Sequence, residues 1–189
     1  MAVTALDAKT ALILIDLQKG IVTLPPADVI AGVLKQARAL ADAFRAQALP
    51  VVLVNVAGGA PGRTEQAMRH GEFPPDFAEL VPELNRQPQD HTVTKRTWGA
   101  FVNTGLEAYL KSQNVTQVVI GGVATSIGVE STARQAYESG LNVTLAIDAM
   151  ADLLTETHDN SITRIFPRLG ETGTAQQIIA LLNKTRPAS

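Results

Sequence analysis

No cysteine occurs among the 189 residues, which excludes disulfides and any thiolate acting as nucleophile or metal ligand. The absence leaves the compartment open, because many secreted proteins also lack cysteine. No apolar run approaches the roughly 18 uncharged residues that a membrane-spanning helix needs, so membrane insertion is not expected. The opening segment MAVTALDAKT carries neither a basic leader nor a long apolar stretch; no secretory signal is expected, and the cytoplasm is the expected location. A dominant charge sign is missing as well, with 16 Lys and Arg against 18 Asp and Glu. That balance offers no general attraction to nucleic acid or anionic lipid, and the expected partners are small molecules. The histidines, His70, His91 and His158, show no metal-binding spacing, so no metal site is expected. Gly121 and Gly122 complete neither a dinucleotide fingerprint nor a phosphate loop, and no cofactor is expected.

What is present is an ordinary globular composition, 46% apolar and 18% charged, with neither repeats nor low-complexity tracts. A chain of this length buries roughly 70% of its unfolded surface, enough for one domain over 1–189. Short apolar runs alternate with longer amphipathic stretches, the pattern of a parallel sheet flanked by helices. The runs at 11–17, 50–56, 91–95, 117–123 and 142–148 read as strands, with a further short one around 169–172. Ile30, Val33, Leu34, Ala37, Leu40, Ala41 and Phe44 recur at helical spacing within 28–47. Further helices are predicted over 106–113, 128–139, 155–166 and 174–184. The expected fold is α/β: a mainly parallel sheet of about six strands with helices on both faces.

Parallel strands with helical crossovers oblige ligands to bind outside the carboxyl ends of the strands. The side chains expected at that edge are Asp16 and Gln18, Asn55, Lys95, the run Ala124 to Gly128, and Asp148. Asp16 and Lys95 stand out as charges terminating apolar strands. Each candidate also has a plain structural reading. Asp16 could satisfy backbone N–H groups, Lys95 could be solvated, Gly128 could permit close packing, and Thr125 or Ser126 could cap a helix. In the patternless segment after the second strand, Met68, Phe73 and Phe77 are candidates to line a pocket or seal an interface, as is Trp98. Arg63 and Arg69 are candidates to meet a substrate carboxylate.

The segments ALILIDLQKG, VTKRTWGAFVNTGL and GGVATSIGVESTARQAYESGLNVTLAIDAMAD resemble the three functional stretches of the isochorismatase-like hydrolase superfamily, also called cysteine hydrolases. The resemblance covers essentially the whole chain. It implies a three-layer Rossmann-like sandwich, a homo-oligomer such as a dimer or tetramer, and a cis peptide bond at Val123 to Ala124. It also puts the family's aspartate at Asp16, its lysine at Lys95 and the usual nucleophilic cysteine at Gly128. Substrate contacts are implied for Gln18, Trp98, Ala124, Thr125, Ser126 and Ile127. The metal-binding histidines of nicotinamidases have no counterpart in NVAGGAPGR.

A hydrogen atom cannot replace a thiolate, so covalent catalysis at position 128 is excluded. Members of the superfamily with glycine there, the isochorismatases proper, cleave a vinyl ether without a covalent intermediate, their aspartate serving as general acid. The resemblance therefore implies non-covalent hydrolysis of a small, carboxylated molecule, with Asp16 as acid, Lys95 orienting the carboxylate, and N–H groups at the following helix available to an anion. The tyrosine and histidine typical of isochorismatases are replaced by Ala124 and Ser126, and the turn ATSIG is closer to the cysteine-hydrolase form. Two alternatives stay open. One is a catalytically decayed member that only binds, and the other is an amidase relative with a substituted nucleophile at Thr125 or Ser126.

Overall fold

A computed structural model describes residues 3–65 and 73–185; Met68, Arg69 and His70 lie outside them. The chain builds β1 (Thr10–Ile15), α1 (Lys19–Val22), α2 (Ala27–Ala46), β2 (Val51–Val56), β3 (His91–Lys95), α3 (Leu106–Ser112) and β4 (Gln117–Val123). It continues with α4 (Glu130–Glu138), β5 (Asn142–Ala151), α5 (Thr155–Asn160), α6 (Phe166–Leu169), β6 (Glu171–Gly173) and α7 (Ala175–Thr185). The six strands form one sheet in the order β3-β2-β1-β4-β5-β6. Every pairing is parallel, so the sheet is wholly rather than mainly parallel. No described helix is long and apolar enough to cross a membrane.

Alternation along the strands divides the core in two. Leu12, Leu14, Leu53 and Val119 face α2 and α7, joining Val33, Leu40, Phe44, Ile178 and Leu182. Ala11, Ile13, Ile15, Val52, Val54, Val118 and Ile120 face the other way, against Leu106 and Leu110 of α3, Ala133 and Ala136 of α4 and Phe166 of α6. β1 is buried along its whole length because it has a strand on each side and helices on each face. This accounts for its uninterrupted apolar run.

Three elements differ from the sequence reading. β5 runs to Ala151, and its pairing with β4 shifts register between Ile120 and Gly122, where Gly122 faces Met150. Asp148 therefore falls inside the strand instead of at its end, and its Oδ1 accepts the Ala175 N–H at 2.7 Å at the start of α7. The expected helix 128–139 begins earlier, with a wide π-type turn over Thr125–Val129 leading into α4. The expected helix 155–166 is interrupted by a similar widening over Ser161–Ile165.

Two features lock the edge of the sheet. Gly122 has φ +124, and a Cβ there would lie 2.1 Å from the Ile15 carbonyl oxygen, so only glycine lets β4 run so close to the end of β1. Arg45, near the end of α2, forks onto Asp90 with Nη2–Oδ2 2.6 Å and Nε–Oδ1 3.0 Å, and also donates to the Leu84 carbonyl. Asp90 Oδ2 further accepts the Gln87 N–H at 2.8 Å. Both side chains are buried, so helix α2 and the entry to β3 are tied by a desolvated ion pair. Arg45→Ala leaves the Asp90 charge buried without its partner, and equilibrium urea unfolding is expected to show a loss of about 3–5 kcal/mol.

Candidate active site

The strand order reverses between β1 and β4, and in such sheets the crevice outside the carboxyl ends at that point is the ligand site. Asp16, the first residue beyond β1, has φ 52, and its N–H continues the ladder to the Val54 carbonyl at 2.9 Å. Its carboxylate Oδ2 accepts from Lys95 Nζ, at the end of β3, at 2.7 Å; Nζ also donates to the Thr97 carbonyl at 3.1 Å. Asp16 is 5% exposed and Lys95 2%. Asp16 Oδ1 is buried without a hydrogen-bond partner among the described residues. Burial pushes the Asp16 carboxyl up to about 6, with the Lys95 charge and hydrogen bond opposing.

Gly128 meets this pair. A Cβ at that position would lie 2.9 Å from Ile15 Cγ2, 3.2 Å from Asp16 Oδ2 and 3.6 Å from the Trp98 carbonyl. The close-packing role of the glycine and its place beside the charges are thus both present. The Val123–Ala124 peptide bond, just before the π-type turn, is cis.

A cavity of about 790 Å³ opens over these three residues. Trp98, Ala124 and Ile127 line it, as the resemblance implied, and Ile21, Leu24, Phe73, Phe77 and Leu153 complete its apolar walls. Phe73 stacks on Phe77 at 4.1 Å. Trp98 is 59% exposed and Phe73 49%, so the rim is aromatic and open.

Three expected substrate contacts sit off the wall, each bonded to protein. Gln18 is fully buried; its Nε2 donates to the carbonyls of Val56 and Phe77, and its Oε1 accepts the Val56 N–H. It ties β1, β2 and the segment around Phe77 together. Thr125 is fully buried with Oγ1 2.8 Å from His158 Nδ1. The Ser126 N–H donates to Asp152 Oδ2 at 2.6 Å. Neither hydroxyl is on the cavity wall. Asn55 is similarly engaged, donating to the Ala78 carbonyl, and His91 stacks on Tyr109. Arg63 is exposed and is not among the lining residues.

The N–H groups expected to await an anion are largely committed. Ser126 gives its N–H to Asp152, while Ile127 and Val129 both donate to the Ala124 carbonyl at 3.1 Å. Asp152 escaped the sequence reading because β5 seemed to end at Asp148; an end at Ala151 makes Asp152 the first residue beyond it. The apolar wall from Ile21 of α1 and Leu24 just beyond it was also missed, since a one-turn helix leaves no periodic signal. Among the described residues, no group of three or more His, Cys, Asp or Glu could hold a metal ion.

Comparison with known proteins agrees with this arrangement. The family described as Isochorismatase domain matches residues 10–177. The isochorismatase family protein YwoC of Bacillus subtilis is 43% identical over 178 residues, covering 90% of this chain and 93% of that one. YecD of Escherichia coli O157:H7, also an isochorismatase family protein, is 38% identical over 187 residues, covering 94% and 98%. A solved isochorismatase family structure from Burkholderia thailandensis superposes with a TM-score of 0.90 at 39% identity, covering 95% of this chain and 98% of that one. With the family matched across most of its length and the fold alike, this chain belongs to the isochorismatase family of hydrolases.

Proposed function

We propose that the protein hydrolyses a small molecule by non-covalent acid catalysis of the vinyl-ether type, with Asp16 as the general acid. The observation that carries this reading is one buried carboxyl at the cavity: Oδ2 is held by Lys95 and faces the space beside Gly128, and Oδ1 has no hydrogen-bond partner among the described residues. Asp16 lines the cavity, so a proton held on its carboxyl meets a substrate bound there. With a pKa of about 6, about one Asp16 in ten is protonated at pH 7.

The Asp16 carboxyl gives its proton to the terminal carbon of the enol ether. The other alkene carbon, bonded to the ether oxygen, becomes an oxocarbenium ion. Water adds there, and the adduct collapses to an alcohol and a carbonyl compound, the surplus proton returning to Asp16. Transfer leaves a carboxylate against Lys95, so the ion pair is strongest when the acid has given up its proton, which favours the step. Gly128 leaves room next to Asp16 Oδ2 that a side chain would fill. A substituted nucleophile finds no support, because neither the Thr125 nor the Ser126 hydroxyl lines the cavity. The same proposal takes 1–189 as one domain, working in the cytoplasm as a homo-oligomer that the exposed apolar rim would help to assemble.

The test is carbonyl release from a panel of vinyl ethers. Asp16→Asn is expected to lower kcat by on the order of 1,000-fold; full turnover by this variant rejects the mechanism. Because the acid must be protonated, kcat/KM is expected to fall tenfold per pH unit above about 6 and to level off below it. Gly128→Ala pushes a methyl group against Ile15 and Asp16, and thermal or urea unfolding is expected to report a loss of about 1–3 kcal/mol.

A further inference from the structure

We infer that the molecule this cavity accepts is uncharged, with a broad apolar body carrying a ring, and that its reacting polar group lies at the Asp16 and Lys95 end. The inference rests on the acid reading for the reacting group alone; the rest of the ligand is read from the walls. The expectation of a carboxylated substrate needs a cation to receive it. The described lining residues include two, Lys95 and Lys19, and both are already paired. Lys95 holds Asp16 at 2.7 Å, and Lys19 holds Glu79 at 2.6 Å and Asp76 at 3.3 Å. A ligand carboxylate at either place meets a positive charge that carboxylates of the protein already balance, Lys95 by one and Lys19 by two.

The head of the helix offers little more. Its Ser126 N–H already has an anion, Asp152, and two neighbouring N–H groups close onto the Ala124 carbonyl. The walls, by contrast, are suited to rings. Phe73 and Phe77 stack on each other, Phe77 lies against the backbone of Gly20, and Trp98 presents an indole at the rim. Ile21, Leu24 and Ile127 fill in with aliphatic surface. An apolar occupant also drives water from around Asp16, which favours its neutral, proton-donating form. An anionic body would lose its own hydration without finding a free partner.

Calorimetric titration at pH 7.5 with biphenyl-4-carboxamide and biphenyl-4-carboxylate separates the two chemistries on one ring body. The amide is expected to bind at least tenfold more tightly, and Phe77→Ala to weaken it about tenfold. Freeing Lys19 with Asp76→Asn and Glu79→Gln together is expected to raise the affinity for the carboxylate severalfold and leave that for the amide unchanged. Equal or tighter binding of the carboxylate to the unaltered protein overturns the inference, as does failure of the amide to bind. Asp16→Asn frees Lys95 in the same way and is expected to raise the affinity for the carboxylate while leaving the amide bound, since binding needs no turnover. Preference for the amide without hydrolysis of any vinyl ether would reject the acid mechanism and leave the ligand class standing.

Discussion

The ion pair between Asp16 and Lys95 sets the terms for everything around it. Two charges 2.7 Å apart with almost no solvent contact each lose several kcal/mol of hydration, roughly what their attraction returns. The unpartnered Asp16 Oδ1 adds a cost of about 1–3 kcal/mol. As a device for stability the arrangement is poor, since well-packed apolar residues would serve as well. It persists at the point where the strand order reverses, the one place in such a sheet where a crevice is unavoidable. The buried Arg45 and Asp90 pair makes the contrast: both Asp90 oxygens are bonded, one of them also to a backbone N–H. The Arg45 and Asp90 pair is fully bonded, whereas Asp16, at the cavity wall, keeps an oxygen without a partner among the described residues.

Holding the chemical pair requires the strand ends to be fixed independently of it. Gly122 allows β4 to crowd the end of β1, and Gln18 stitches the chain beyond β1 to β2 and to Phe77. On the opposite side, Asp152 clamps the turn that carries Gly128 through the Ser126 N–H, and Thr125 meets His158 beneath it. These polar residues are turned into the protein instead of toward the cavity. The walls are mainly apolar side chains, with Lys19 and Asp76, joined to each other, also in the lining.

Much of this was legible in the sequence, for reasons that individual residues make plain. β1 and β4 are buried on both faces and so read as unbroken apolar runs, which made Asp16 and the glycine turn easy to locate. Lys95 was legible because a charge closed a short apolar strand. Gln18, Thr125 and Ser126 lie at the same edge but are not among the residues lining the cavity. Sequence position fixes where a side chain starts, whereas the direction it takes depends on which carbonyl or ring nitrogen lies within 3 Å after folding. The register shift in β5 hid Asp152 and misplaced Asp148, because the extra residues of a bulge look like a strand that has already ended.

The hydrogen atom at position 128 connects the charge pair to the form of catalysis. Where a thiol stands beside such an aspartate, the carboxylate's task is to take a proton, and a low pKa relative to the thiol would be no hindrance. With no thiol to deprotonate, the acid proposed for Asp16 acts on the substrate itself, and an acid that is always ionised has nothing to give. Burial answers this by raising Asp16 to about 6 against the pull of Lys95. Lys95 keeps the rise in check, so that the proton is held loosely enough to leave. An occupant that excludes water from the apolar cavity strengthens the first influence without weakening the second, which makes substrate binding itself part of arming the acid.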